Sequence, residues 1–188
     1  MSLFYQQDLD LYYELNPGKH EWVDHTEIED GIYLGGVYDP TSDLEGGRSM
    51  NPLNAPHAVI ERYGINLVVS FTDEEVVWNF PSNVYPVHFV LEDHPNSNIK
   101  QCFYLGVGRI LSARKDGRRV FVHCLAGISR SVTMLCAYYL YVGLPDNPRP
   151  DVKEVVKFIQ SKRPFVRPNP GFLKQLREFY NEVPYLSL

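Results

Sequence analysis

Apolar residues along the chain form two kinds of pattern, and the two kinds alternate. Short, nearly unbroken apolar runs predict β-strands at 28–36, 66–71, 84–91 and 120–122. Apolar positions that recur every three to four residues predict helices at 55–63, 99–115, 151–162 and 170–181, and a longer apolar helix follows residue 130. The pattern therefore predicts one α/β domain with a twisted, mostly parallel central sheet that is flanked by helices.

Two residues refine these elements. Pro86 cannot donate a backbone hydrogen bond, so it favours an edge or entry position for the strand at 84–91. Asn98 is a residue type that often caps helices, and it stands directly before the helix that starts near residue 99. We therefore expect an edge strand at 84–91 and a helix whose first turn is capped by the side chain of Asn98.

The strand at 120–122 leads into a seven-residue loop that begins with Cys124 and ends with Arg130. A strand, a small-residue loop and a helix N-terminus bring backbone N–H groups and the positive end of a helix dipole to one point. The fork of Arg130 matches two phosphate oxygens, and the loop amides can bind the third. The same surroundings stabilise a thiolate on Cys124, and Gly127 lets the backbone approach a ligand. The loop predicts a phosphate-ester site whose amides belong to Leu125, Ala126, Gly127, Ile128 and Ser129.

Residues 123–131, with the sequence HCLAGISRS, fit the pattern HCxxGxxRS. This signature resembles that of the cysteine-dependent protein tyrosine phosphatases, most closely the dual-specificity branch and in particular the MAP kinase phosphatases. The segments 28–36 (IEDGIYLGG) and 163–176 (RPFVRPNPGFLKQL) are also similar to the opening and closing segments of that family. The resemblance covers about residues 26–180. It implies a catalytic domain at 26–188, with an N-terminal arm at 1–25 and a loop insertion at 39–56.

The resemblance also implies the catalytic roles. Cys124 would attack phosphorus and form a cysteinyl-phosphate intermediate, while Arg130 binds the phosphate. The segment LEDHPNSN is similar to the general-acid loop of the family, and its alignment indicates Asp93 as the general acid and later the general base, with Glu92 as the alternative. Ser131 would help the thiolate leave in the second step, and helix capping is the competing explanation for a serine at that position.

Further residues would support this chemistry. The resemblance implies that His123 hydrogen-bonds the loop and helps to keep Cys124 ionised, and that Asn169 braces the phosphate loop. From the sequence alone, Asn169 is a turn residue before a helix. Arg163 and Arg167 form a basic stretch that we expect to be solvated, with recognition of a second phosphate as the alternative. Ser70 stands where the family often has asparagine, so its contact with the loop is left open.

Two segments have no assigned chemistry. Residues 1–25 contain several large aromatic side chains, which we expect to pack on the domain, although a partner-binding segment is the alternative. Residues 39–56 are rich in turn formers and are expected to form a surface loop. A rim that contacts substrate through Arg48 is the alternative for this second segment.

Composition and charge restrict the function classes. The net charge of −5 argues against a nucleic-acid partner, and no apolar run is long enough for a membrane span or resembles a signal peptide. We therefore expect a protein of the cytoplasm or nucleus. Besides the loop cysteine, Cys102 and Cys136 lie in apolar helical patterns, where buried packing is expected and a resolving thiol for oxidised Cys124 is the alternative. No metal or cofactor is expected, because the arginine, the amides and the helix dipole supply the positive charge.

The leading functional prediction is a protein phosphatase that acts on phosphotyrosine and phosphoserine or phosphothreonine. A phosphorylated kinase is the first candidate for its substrate. The alternatives are a phosphatase of a phosphoinositide, an RNA 5′-triphosphate or a phosphoglucan, a catalytically silent phospho-binding module, and a sulfurtransferase of the rhodanese type. The loop contains no lysine, whereas phosphoinositide phosphatases of the same superfamily tend to carry lysines there. The oligomeric state is not predicted by the sequence.

Overall fold

The computed structural model describes residues 24–37, 55–77 and 79–183. Most of the N-terminal arm and of the 39–56 insertion lies outside the described residues, and so does Arg48. The described strands are β1 (His25–Glu29), β2 (Ile32–Gly36), β3 (Ile65–Thr72), β4 (Tyr85–Val90) and β5 (Arg119–Cys124). The described helices are α1 (Ala55–Tyr63), α2 (Lys100–Lys115), α3 (Arg130–Val142), α4 (Val152–Lys162) and α5 (Pro170–Glu182).

The five strands form one sheet in the order β1-β2-β5-β3-β4. β1 and β2 are an antiparallel hairpin, and β2, β5, β3 and β4 run parallel to one another. The predicted fold class, an α/β domain with a mostly parallel sheet, is therefore confirmed. β4 is an edge strand, as the proline at position 86 predicted, and β5 lies at the centre with its carboxyl end beside those of β2 and β3.

Side chains on alternate positions of the central strands enter two separate cores. In β3, Leu67 and Val69 face the large core that also receives the buried faces of α2, α3, α4 and α5. Val68 points to the other face, where it packs with α1 residues and with Phe121 of β5. The strand at 66–71 is thus covered on both faces, which explains its nearly continuous apolar sequence. Helix α3 is buried along most of its length, so the end of the phosphate loop is fixed to the centre of the domain.

The prediction that Asn98 caps α2 is wrong. Ile99 occupies the N-cap position, and no side chain caps the helix from there. The N–H of Lys100 instead donates to Oε1 of Gln175 at 2.9 Å, so a residue of α5 satisfies the first turn of α2. This contact between α2 and α5 satisfies a donor that the predicted cap would have satisfied. It also fixes the start of α2, which follows the segment of Asp93, to α5.

Candidate active site

Cys124 is the last residue of β5 and stands at the carboxyl end of the parallel strands. Its residue is 2% exposed, and the hydroxyl of Ser131, in the first turn of α3, donates a hydrogen bond to its sulfur at 3.2 Å. A hydroxyl donor stabilises a thiolate more than a thiol, because it bonds to the charged form. The structure therefore places Ser131 where it can act on the sulfur of Cys124.

The guanidinium of Arg130 lies at the start of α3, and its side chain is 3% exposed. Nη1 donates to Oδ1 of Asp73 at 2.6 Å and to the backbone oxygen of Leu91 at 2.8 Å. Within the described part of the chain, the buried Nε of Arg130 has no hydrogen-bond partner. A buried donor without a partner requires an explanation, and an anion bound beside Nε would provide one.

Asp73 was not selected from the sequence. It follows β3 directly, at the same edge of the sheet as the loop, and its carboxylate fixes the guanidinium from the side that faces solvent. The position of an acid just beyond the carboxyl end of a parallel strand is the signal that could have found it.

Asp93 contacts the loop at Ser129, and two donors hold its carboxylate. Its Oδ1 accepts from Oγ of Ser129 at 2.8 Å and from Nδ2 of Asn169 at 2.8 Å. Its Oδ2 lies 3.9 Å from Nε of Arg130, and the side chain is 25% exposed. One carboxyl oxygen is therefore fixed, and the other faces the guanidinium of Arg130.

Asn169 contacts both the acid and the phosphate loop. Its backbone N–H donates to Oγ of Ser129 at 3.2 Å, and its side chain also caps α5 by accepting from the N–H of Phe172 at 2.9 Å. Asn169 is thus the N-cap of α5, the turn-and-helix role that its sequence suggests, and it also holds Asp93 in place.

His123 is fully buried beneath the loop. Its Nε2 lies 2.7 Å from Oγ of Ser70, which answers the open question about Ser70: this hydroxyl contacts His123. Desolvation lowers the pKa of His123 to about 3, although a hydrogen bond with the backbone of Cys124 opposes part of that change. A pKa this low favours the neutral imidazole at physiological pH, which disfavours His123 as a proton donor.

Acidification is expected to destabilise the fold through His123. The unfolded side chain binds a proton near its ordinary pKa, whereas the folded one does so only near pH 3. The contribution of neutral His123 to the free energy of unfolding is therefore fully present above about pH 6.5. It is lost as the pH falls from there towards 3, and the free energy of unfolding falls by up to about 1.4 kcal/mol per pH unit. Urea unfolding at pH 7.5, 6.5 and 5.5 measures this slope.

The variant His123→Gln is the matched control for that measurement, because glutamine does not titrate. Its free energy of unfolding is expected to fall less steeply between pH 6.5 and 5.5 than that of the wild type, while every other titrating group contributes to both proteins. Equal slopes for the two proteins would contradict a neutral buried His123.

Gly127 is required by the packing of the loop on β2. Its φ is +65°, a left-handed conformation, and a Cβ there would lie 2.6 Å from the carbonyl carbon of Gly35 and from Nη2 of Arg163. From the sequence, Gly127 was expected to let the loop backbone approach a ligand closely. The structure adds a reason that operates without any ligand, since the loop itself must lie against β2.

The expectation that Arg163 is solvated is wrong, and so is the alternative that it binds a second substrate phosphate. The residue is 0% exposed, and its guanidinium donates to the carbonyls of Ala126 and Gly127 and to the carboxylate of Asp24. Arginine is rarely buried unless it is paired, and here an acid from the beginning of the described chain supplies the pair. The neighbouring Arg167 contacts the loop through its backbone, whose N–H donates to the carbonyl of Ile128 at 2.8 Å.

Cys102 and Cys136 are both buried. Desolvation raises the pKa of the Cys102 thiol to about 11 and also raises the pKa of the Cys136 thiol. Each thiol is therefore held in its uncharged form, which is the poorly reactive one. This supports packing over a resolving role for both residues.

Comparison with known proteins agrees with this geometry. A family model described as the dual specificity phosphatase catalytic domain matches residues 51–182. Dual specificity protein phosphatase 14 of Mus musculus is 31% identical over 151 residues, which are 80% of this chain and 72% of that protein. Dual specificity protein phosphatase 15 of Rattus norvegicus is 33% identical over 155 residues, 82% of this chain but only 56% of that protein.

A solved structure supports the fold. The crystal structure of the human tyrosine phosphatase-like serine/threonine/tyrosine-interacting protein matches with a TM-score of 0.68 at 23% identity, over 84% of this chain and 96% of that one. In addition, none of the helices in the described residues is long and apolar enough to cross a membrane. Since the family model covers more than half of the chain, the chain belongs to the dual specificity phosphatase family and is an enzyme of that class.

Proposed function

We propose that this chain removes phosphate from phosphotyrosine and from phosphoserine or phosphothreonine in proteins, with Cys124 as nucleophile, Arg130 as phosphate ligand and Asp93 as general acid and base. One observation carries the proposal: the sulfur of Cys124 accepts a hydrogen bond from Ser131 at the base of a loop that ends in the buried guanidinium of Arg130. A nucleophile and an anion ligand are thus joined by one short loop.

In the first step, the thiolate of Cys124 attacks phosphorus and the bond from phosphorus to the ester oxygen breaks. Asp93 gives its proton to the departing oxygen, so the substrate leaves as an alcohol or phenol. Oδ1 of Asp93 already accepts two hydrogen bonds, whereas Oδ2 faces Arg130. We therefore assign the transferred proton to Oδ2.

In the second step, water attacks the phosphorus of the cysteinyl phosphate. Asp93, now ionised, takes a proton from that water, and the bond between sulfur and phosphorus breaks to release inorganic phosphate. Ser131 donates its hydrogen bond to the thiolate as the negative charge returns to the sulfur. Arg130 and the loop amides bind the phosphate oxygens in both steps.

The charges around the loop favour a phosphate monoester over a polyphosphate. Asp73 contacts the phosphate-binding arginine, the exposed Glu74 and Glu75 follow it in sequence, and the exposed Glu92 precedes Asp93. A phosphoinositide head group or an RNA triphosphate would bring several further negative charges against these carboxylates. A phosphorylated side chain of a protein brings one phosphate, which Arg130 and the amides can neutralise.

A catalytically silent phospho-binding module is the second function to consider. Such relatives have usually lost the cysteine, the arginine or the acid, and here all three lie together around one loop. We therefore favour the enzyme. We also propose a phosphorylated kinase as the first substrate to test, no nucleic-acid or membrane partner, and a location in the cytoplasm or nucleus, where reducing conditions preserve a catalytic thiolate.

A substrate panel tests the proposed specificity. Phosphate release is compared for a doubly phosphorylated Thr/Tyr peptide, singly phosphorylated peptides, a soluble phosphoinositide and a phosphoglucan, each beside Cys124→Ser as the blank. We expect kcat/KM to favour the singly phosphorylated peptides over the phosphoinositide by at least about tenfold, or about 1.4 kcal/mol of transition-state free energy, because further phosphates would face the acidic surroundings of the loop. Those charges do not distinguish a peptide from a phosphoglucan, so the phosphoglucan tests the protein assignment separately. Preference for a non-protein phosphate would overturn the assigned substrate class.

A further inference from the structure

The phosphate loop is held from its outer side by one buried side chain. Nε of Arg163 donates to the carbonyl of Gly127 at 3.0 Å, and Nη2 donates to the carbonyl of Ala126 at 3.2 Å. The opposite edge of the guanidinium binds the carboxylate of Asp24, with Nη1 to Oδ1 at 2.7 Å and Nη2 to Oδ2 at 2.5 Å. Nη1 also donates to Oγ1 of Thr26 at 3.2 Å. The fork therefore joins the loop to the beginning of the described chain.

Because Arg163 is buried, its guanidinium depends on protein groups for its hydrogen bonds and its counter-charge. Arg163 is 0% exposed and its guanidinium lies 4.3 Å from the ring centroid of Phe165, so water is replaced by protein groups. A buried guanidinium is tolerated only when its donors and its charge are satisfied. The carboxylate of Asp24 balances the charge with a two-point contact, and the two loop carbonyls and the hydroxyl of Thr26 accept further hydrogen bonds. Removing Asp24 would leave a buried cation with unpaired donors.

The direction of the carbonyls decides the direction of the amides. In a trans peptide the C=O and the N–H point to opposite sides. Arg163 holds the carbonyls of Ala126 and Gly127 outward, so the N–H groups of Gly127 and Ile128 point inward, towards the side of the loop that holds the sulfur.

The flanking carbonyls are held by backbone donors. The carbonyl of Leu125 accepts from the N–H of Val37 at 2.9 Å, and that of Ile128 accepts from the N–H of Arg167 at 2.8 Å. The carbonyls of residues 125–128 are therefore all held on the same side of the loop. The side chain of Arg163 binds the middle two, and backbone N–H groups bind the first and the last.

We propose that Arg163 and Asp24 are positioning residues for phosphate binding: the pair fixes the loop peptides so that the amides of Gly127 and Ile128 face the transferred phosphate. The proposal rests on the proposed phosphatase function. Asp24 precedes the domain start that the sequence predicted, yet it is built into the site. Its backbone oxygen accepts from Gly36 at 3.0 Å, and a Cβ on Gly36 would lie 2.9 Å from its Oδ2.

The variants Arg163→Lys and Asp24→Asn test this role. Lysine keeps the charge that Asp24 requires, but a single ammonium cannot reproduce the planar fork that reaches both carbonyls and the carboxylate. We expect Arg163→Lys to weaken vanadate binding and to lower kcat/KM, each by about tenfold or more, since two of the amides that bind the anion lose their fixed orientation. Asp24→Asn removes the negative charge that orients the fork, and it is expected to change both quantities in the same direction.

Arg114→Lys is the matched control. Arg114 also donates to two backbone carbonyls, those of Arg118 at 3.0 Å and Asp30 at 2.6 Å, but at the opposite end of the sheet. Its replacement is expected to leave vanadate affinity and kcat/KM unchanged. Urea unfolding of every variant, in the assay buffer, corrects each measured constant for the fraction that is folded.

The outcomes separate the two proposals. If the folded Arg163→Lys and Asp24→Asn proteins bind vanadate and turn over substrate within twofold of the wild type, the positioning role is overturned. A loss that only follows the folded fraction overturns it as well, and if Arg163→Lys does not fold, Asp24→Asn decides. If the wild type releases no phosphate from any substrate, the phosphatase function fails, while vanadate affinity still tests the orientation of the loop.

Discussion

Replacing Cys124 with serine is expected to abolish phosphate release from every substrate, by at least about four orders of magnitude. The sulfur lies at the base of the loop, where the hydroxyl of Ser131 contacts it at 3.2 Å. A serine hydroxyl in the same place remains protonated at neutral pH and is a much weaker nucleophile. His123 is a weak base because its pKa is lowered to about 3, and Asp93 is held at the loop by Ser129.

Binding of substrate should survive this change. Arg130 and the loop amides, which are the proposed phosphate ligands, are untouched, so Cys124→Ser should hold a phosphopeptide at least as tightly as the wild type. Isothermal titration with a phosphotyrosine peptide measures that affinity. Acid quenching during turnover of a ³²P-labelled peptide should trap a labelled phosphoenzyme in the wild type and none in the variant.

Cys102→Ala is the control, since it removes a buried thiol that has no part in the proposed chemistry. This variant should keep both the turnover and the trapped intermediate. Turnover of Cys124→Ser near the wild-type rate, or an unchanged labelled intermediate, would refute a cysteinyl phosphate on Cys124.

The parts of the molecule that sequence could predict are the local ones. The sheet and the helices follow from periodicity within single segments, and the loop carries its thiol and its guanidinium within seven residues. Asp93 was reached through the resemblance of its segment to a family loop. The structure then shows how Ser129 and Asn169 hold that carboxylate, which no local pattern indicates.

The parts that could not be predicted depend on pairs that are distant in sequence. Arg130 and Asp73 are separated by 57 positions, and Arg163 and Asp24 by 139. Arg163 lies among basic residues and prolines, a composition that is typical of a solvated turn. Its burial follows from contacts that form only in the folded domain. The wrong prediction for Asn98 has the same cause. The N–H of Lys100, in the first turn of α2, donates to the side chain of Gln175, which lies 75 residues further along the chain.

Two acidic residues, Asp73 and Asp93, lie near the guanidinium of Arg130, and Glu92 precedes Asp93 in sequence. Asp73 bonds Nη1 of Arg130 at 2.6 Å, an ion pair that fixes the guanidinium. Asp93 places a free oxygen 3.9 Å from Nε, and Glu92 is exposed beside it. The Asp73 carboxylate is engaged by this short hydrogen bond from Arg130, so its role is to hold the guanidinium in place. The geometry therefore favours Asp93 as the acid.

Asp93→Asn is expected to lower kcat by about 10²–10⁴-fold for substrates with poor leaving groups, because asparagine cannot protonate the departing oxygen. A phosphoserine peptide and phenyl phosphate should be affected most. An ester with an activated phenol, such as 4-nitrophenyl phosphate, should be affected least in the first step, since its leaving group needs little protonation. The ratio of wild-type kcat to variant kcat, measured with each substrate, gives the effect and its dependence on the leaving group.

Glu92→Gln and Asp73→Asn are the control variants that distinguish a general acid from a residue that only holds the site together. Glu92→Gln should behave as the wild type, whereas Asp73→Asn should lower kcat/KM by a similar factor for good and poor leaving groups, because it loosens Arg130. If Asp93→Asn retains wild-type kcat with poor leaving groups and Glu92→Gln loses it, the acid is Glu92. A uniform loss in Asp93→Asn, without dependence on the leaving group, would instead mean that Asp93 acts by holding Ser129 and Asn169 in place.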